Sequence, residues 1–147
     1  MNVTIRLLTL TDYPALFALW SSLPGFNRGL RSIDDSQEGV AKFLQRNPTT
    51  CFIAEADGQT IGGILAGHDG RRGYIYHALV HPDFQGKGIG KLLANTACDA
   101  LKAEGITKAG MLVFASNEQG NTFWESQGWQ TRPDLVYRNK TLNEENL

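Results

Sequence analysis

The chain has 147 residues, a formal net charge of −1, 41% hydrophobic residues and 20% charged ones. Such a length suits one domain spanning residues 1–147, and the balance of apolar and charged residues excludes disorder. A charge so near zero gives no electrostatic reason to expect nucleic acid or anionic lipid as a partner, and no run of about eighteen apolar residues announces a membrane span.

The first stretch, MNVTIRLLTLTDYP, carries Arg6 and a polar Thr-Asp break, so it reads as a strand and not as a signal peptide. Strand character runs from Val3 to Leu10. Asp12 ahead of Pro14 is a helix-start pattern, and Leu16, Leu19, Trp20 and Leu23 then share one helical face. Pro24-Gly25 ends that helix. An irregular stretch follows from Asn27 to Ser36, with Asp34 or Asp35 as the expected cap of a second helix carrying Val40, Phe43 and Leu44. Pro48 stops it.

The runs CFIAEA and TIGGILAG flank Asp57-Gly58, a strong hairpin signal. The turn HDGRRG leads into YIYHALVH, so the middle of the chain reads as an antiparallel meander. Cys51, within this region, and Cys98 fit no metal-ligand spacing. They read as reduced, mostly buried thiols of a cytoplasmic protein, and no metal site is expected.

After Gly90 the pattern becomes helical, with Ile89, Leu92, Leu93, Thr96, Ala97, Ala100 and Leu101 in phase to about Glu104 and Gly105 as cap. Lys108 to Phe114 is strand-like, and a strand, helix, strand order implies a parallel pair with a crossover. A short helix over about Asn117 to Gln127, closed by Gly128, precedes two last strands, near Trp129 and over Leu135 to Lys140. The tail TLNEENL reads as frayed. The expected fold is α/β (α+β), in the order βααβββαβαββ, with about seven strands in one mixed sheet and about four helices.

The stretch HPDFQGKGIGKLL, His81 to Leu93, places Gly86, Gly88 and Gly90 where a strand ends and a helix begins. Helix N-termini carry unpaired N–H groups and the positive end of the dipole. Glycines let the backbone adopt positive φ and approach a ligand closely. Successive N–H groups can then converge on phosphate oxygens, with Lys87 and Lys91 adding charge. A nucleoside triphosphate loop would need G-x-x-x-x-G-K-[ST], which is absent, and a dinucleotide loop would need G-x-G-x-x-G after an N-terminal strand. A plain glycine-rich connection is the remaining alternative.

Gln85-Gly86-Lys87-Gly88-Ile89-Gly90 resembles the Q/R-x-x-G-x-G/A signature of the GNAT acetyltransferase superfamily. Leu79-Val80-His81-Pro82 is similar to that family's strand end. Asn117, and Trp124-Glu125-Ser126-Gln127-Gly128-Trp129, resemble its downstream elements, the latter its Y-E-x-x-G-F. The element order matches as well, and GGILAGHDGRRG resembles a bacterial branch, the YpeA-like proteins.

The resemblance implies transfer of an acetyl group from acetyl-CoA to a primary amine of a small molecule, peptide or protein by direct attack. It implies that the backbone of Gln85, Gly86, Lys87, Gly88, Ile89, Gly90 and Lys91 binds the pyrophosphate, and that the backbone near Leu79 and Val80 pairs with the pantetheine arm and points an N–H at the thioester carbonyl. It also implies that Asn117 and Trp124 lie beside the cofactor. A cytoplasmic monomer or homodimer is expected. The alternative is an acyl-CoA-binding module or sensor with little turnover.

The family's usual acid, the tyrosine of Y-E-x-x-G-F, is here Trp124, whose indole N–H donates a hydrogen bond without giving up its proton. A glutamate that some ribosomal-protein alanine acetyltransferases carry five residues before the asparagine is here Leu112. Three options are open: the thiolate leaves without an acid, Tyr76 or His77 serves, or catalysis is weak. Tyr76 and His77 are the candidate catalytic residues.

Overall fold

The computed structural model describes residues 2–147. Nine elements run in chain order: β1 (Val3–Leu7), α1 (Tyr13–Ser21), α2 (Gln37–Arg46), β2 (Phe52–Ala56), β3 (Gln59–His68), β4 (Gly73–Val80), α3 (Ile89–Ala103), β5 (Ala109–Met111) and α4 (Glu118–Ser126). The strands form one mixed sheet in the order β1-β2-β3-β4-β5, antiparallel up to β4, with β5 parallel to β4. The Asp57-Gly58 hairpin has both residues at positive φ, 51° and 77°, as a tight two-residue turn requires.

Three expectations are corrected. The sheet has five strands among the described residues, not about seven, because the chain near Trp129 and over Leu135 to Lys140 is irregular. The β-forming side chains there join no strand pair, and Leu135, Val136 and Tyr137 stay exposed. The second helix is capped by Ser36, whose hydroxyl accepts from the Gly39 N–H at 3.0 Å, and not by Asp34 or Asp35. The tail is also held: Asn146 accepts from the Ile33 N–H at 2.9 Å and donates to Asp34 at 2.9 Å.

Helices α1 and α2 cover one face of the sheet over Leu16, Leu19, Trp20, Val40, Ile53 and Leu65. Helix α3 covers the other over Ile64, Ala66, Ile75, Leu93, Ala97 and Leu101. Two β-bulges set the phase of these faces. Ile61 is the unpaired residue between the Ala54–Gly62 and Glu55–Thr60 partners. Tyr76 is the unpaired residue between the Leu65–His77 and Ala66–Ile75 partners. A bulge adds one residue to one strand and re-aims the side chains beyond it. Thus Tyr76, against Phe43, and His77, against Trp20, project to the same side although they are neighbours in the chain. Near the chain start, Arg6 grips Asp12 with two nitrogens at 2.7 and 2.8 Å and Glu55 at 2.7 Å, tying β1 to β2 and to the turn before α1.

Candidate active site

Strands β4 and β5 pair over only three residues, Gly73–Ile75 with Ala109–Met111. Beyond Ile75 they part. Residues 76–80 keep β3 on one side and face open space on the other, while residues 112–117 diverge toward α4. Two connected hollows occupy the split. A small one of about 110 Å³ lies between Ile75, Tyr76, Leu112 and Phe114. A groove of about 910 Å³ runs from Ala78, Leu79 and Val80 to the glycine loop. Ala78, Phe114, Asn117 and Trp124 line both.

At the far end of the groove, Gly86 and Gly88 adopt φ of 77° and 81°, with nothing within 4 Å of where a side chain would begin. Gly88 is the N-cap of α3 and has no side chain to cap it. The N–H groups from Gly86 to Lys91 make no hydrogen bond among the described residues, so they remain as a row of donors at the positive end of a 15-residue helix. Lys87 and Lys91 flank the row, exposed. The Gln85 amide donates to the Val80 carbonyl at 3.0 Å and accepts from Gln119 at 3.4 Å, which fastens the loop to the strand end and to α4. Ile89 is buried in the α3 core and holds the first turn of the helix in place. Gly90 leaves room for Phe123, whose ring lies 3.4 Å from where a Cβ would stand. The groove's charged lining is Arg28 and Lys91, with no carboxylate.

Asn117 caps α4: its Oδ1 accepts from the Gly120 N–H at 2.9 Å, which leaves its Nδ2 as the group available to a ligand. A Cβ at Gly120 would meet that amide at 2.5 Å, so a side chain there would push Asn117 out of its cap. Trp124 stands edge-on to Phe123 and Trp129, at 4.9 and 5.5 Å, and lines both hollows.

The two candidate catalytic residues separate. Tyr76 faces the split, 54% exposed, with Tyr74 at 4.7 Å and Phe43 at 5.3 Å between ring centres. Partial burial, then the charge of Asp69, holds its phenol above the usual tyrosine range, so it stays protonated at neutral pH. His77 lines neither hollow. Its Nε2 lies 2.7 Å from the Asp35 carboxylate, and its ring packs at 5.1 Å on Trp20 and 5.6 Å on Phe26. Asp35 also accepts from the Arg31 N–H at 2.7 Å, and its carbonyl accepts from Tyr13 at 2.7 Å. This half-buried cluster holds the stretch after α1, through Phe26 of the groove wall, against β4. His81 is spent locally, its Nδ1 accepting from the Asp83 N–H at 3.1 Å. The sequence reading missed Phe114, Phe123 and Gly120. Phe114 carried one signal, an aromatic ending an apolar run; nothing in the sequence marked the other two.

A GNAT architecture, a mixed sheet split beside a glycine-rich helix start, is what the fold and the groove define. The family model for the acetyltransferase (GNAT) family matches residues 14–129. The chain belongs to that family, and it is an acyltransferase. It is 30% identical over 141 residues to an acetyltransferase of Pectobacterium atrosepticum, covering 96% of each chain, and 28% identical to one of Sodalis glossinidius with the same coverage. Among solved structures, the PaiA N-acetyltransferase of Thermoplasma acidophilum, in complex with coenzyme A, has a TM-score of 0.75 at 20% identity, covering 90% of this chain and 92% of that one. The ribosomal-protein-alanine N-acetyltransferase of Brucella melitensis biovar Abortus 2308 has a TM-score of 0.71 at 25% identity, covering 95% and 99%.

Proposed function

We propose that the protein transfers the acetyl group of acetyl-CoA to a primary amine by direct attack. The observation that carries this reading is the row of uncommitted N–H donors from Gly86 to Lys91, opening into a groove without a carboxylate that leads to the split between β4 and β5. The donors suit a pyrophosphate, because an anion there satisfies groups the helix leaves unpaired. The open edge at Leu79 and Val80 suits an arm that pairs as a strand would, and the Asn117 Nδ2 and the Trp124 face flank its path.

In the reaction the amine nitrogen forms the C–N bond and the C–S bond breaks. The acceptor ammonium first loses one proton to solvent, the nitrogen loses a second as the new bond forms, the departing sulfur gains one, and solvent restores the proton of the group that gave it. A backbone N–H of β4 stabilises the carbonyl oxygen as it becomes an oxyanion. Tyr76, whose phenol borders the small hollow, donates to the departing sulfur. His77 acts through position: with Asp35 it holds the groove wall. Trp124 packs beside the site without supplying a proton.

The test is thiol release from acetyl-CoA across a panel of amines, amino acids and peptides, with calorimetric titration of CoA alongside. Micromolar CoA binding with amine-dependent thiol release is expected. Absence of CoA binding would refute the reading, and tight binding without turnover on any amine would replace transfer by a binding role.

A further inference from the structure

A single 3-10 turn, Phe26–Gly29, bridges the two parted strands. Phe26 packs on His77 of β4, with ring centres 5.6 Å apart. The Arg28 guanidinium lies over the Phe114 ring, 4.7 Å from its centre, and a Cβ at Gly29 would touch the same ring at 3.7 Å. Phe114 lines both hollows, so the turn stands over the place where they join. Among the described arginines, Arg28 alone lines either hollow.

What holds Arg28 there leaves its charge unused. Gly25, at φ 78°, turns the chain so that its carbonyl accepts from the Arg28 backbone N–H at 3.2 Å and from the Arg28 Nε at 3.3 Å. Stacking on Phe114 adds a hold that does not neutralise the cation. Both terminal nitrogens are without a protein acceptor among the described residues, whereas Arg6 and Arg132 are each spent on an aspartate, at 2.7 and 2.8 Å. A planar guanidinium with its terminal nitrogens free matches the two oxygens of one carboxylate. The anion that the Gly86 to Lys91 loop suits lies elsewhere, because no residue of that loop lines the small hollow.

On the Tyr76 side the sign reverses. Asp69, exposed in the turn between β3 and β4, accepts the N–H groups of Arg71 and Arg72 on Oδ1, both at 2.8 Å. Its Oδ2 has no partner among the described residues, and its charge is felt at Tyr76. Opposite charges on the two sides suit a small molecule that carries both. A plain amine would leave Arg28 unmatched, and a polyamine would set a second positive charge against it.

We propose that the acceptor is an amino acid, a primary amine with a carboxylate on the neighbouring carbon, whose carboxylate is held by Arg28 while its nitrogen meets the thioester beside Ala78. This rests on acetyl-CoA occupying the glycine-loop end of the groove, with its thioester where the hollows join.

The test runs the full chain on a panel of amino acids, each paired with its amide, and on spermidine. The amide keeps the amine and the shape and removes the negative charge. Each probe is followed by thiol release, with calorimetric titration of CoA alongside. For the best amino acid, kcat/KM should exceed that of its amide at least about tenfold, since the amide forfeits the charge-assisted pair. Arg28→Gln should erase most of that preference through the acid's KM, and Arg28→Lys, which keeps the charge without the fork, should restore part of it. The Kd for CoA should be unchanged in both variants. An amide equal to or ahead of its acid would overturn the proposal and leave acetyl transfer standing, as would spermidine ahead of every amino acid. Arg28→Gln that slows acid and amide alike, or that weakens CoA binding instead, would give Arg28 another role and overturn it too. A panel in which no amino acid is acetylated has the same consequence. A chain that fails to bind CoA in the same titration would bring down the donor placement and this proposal together.

Discussion

The two ends of the groove are built from different materials. At the Gly86 to Lys91 end the uncommitted groups are backbone N–H donors, presented because Gly86 and Gly88 can hold φ near 80°. At the Tyr76 end they are side chains, aimed by a β-bulge and by the parting of two strands. A backbone site depends on which residues carry no Cβ, so it is written in consecutive letters. A side-chain site depends on which distant strands meet, and Tyr76 and Leu112 are 36 positions apart.

Breaking the first end should have the largest effect. Gly88→Trp introduces a side chain at φ 81° where space is open, so the chain should fold with a cost of about 1 to 2 kcal/mol. The Kd for CoA should rise at least about a hundredfold, the loss expected when several charge-assisted hydrogen bonds go together; unchanged affinity by calorimetry would detach the anion from this loop. His77→Phe comes next. It keeps an aromatic ring beside Trp20 and Phe26 but removes one of the Asp35 carboxylate's hydrogen bonds, leaving it the Arg31 N–H. A loss of about 1 to 2 kcal/mol in urea melts is expected. Asp35→Asn in the same background should recover part of it. A histidine that handled the proton itself would instead cost rate at unchanged stability.

Tyr76→Phe tests the second end alone. The hydroxyl is lost and the ring kept, so kcat should fall by about a hundredfold, the low end of the range for acid catalysis, with the Kd for CoA unchanged. Trp124→Tyr sharpens the same point: a rise in kcat would mean that the departing thiolate benefits from a second proton donor, and no rise that Tyr76 suffices.

The smallest effect concerns the frame that both ends share. Arg6 lowers the Asp12 pKa through their hydrogen bonds, so the folded chain binds that proton less tightly than the unfolded one. The stability from this pair is complete above the ordinary carboxylate range near about 4. It drains as the pH falls through the lowered folded value. Because Arg6 is partly exposed, no more than about 1 kcal/mol is at stake. Asp12→Asn should remove that slope, and an unaltered pH dependence of thermal unfolding would show that the pair is neutral.

Much of the fold was legible because its signals are local. The Asp57-Gly58 hairpin, the helical phase from Ile89 to Leu101 and the caps at Gly105 and Gly128 rest on neighbours within a few positions. The two strands expected after Trp129 were misread because β-forming side chains are necessary for a strand but not sufficient. Pairing also needs a partner edge in register, and the chain after Trp129 pairs with none of the five strands. Tyr76 and His77 are neighbours in YIYHALVH, where alternation would put them on opposite faces; the bulge that brings both to one side is decided by pairing with β3.

The sequence by itself determined the family and the loop of uncommitted N–H donors, since glycine spacing at a helix start dictates where unpaired N–H groups gather. Only the tertiary structure decided the rest: that His77 is held by Asp35 away from the groove, and that Tyr76 faces the split. These depend on which carboxylates find partners and which side chains meet across the sheet, and no run of consecutive residues encodes that.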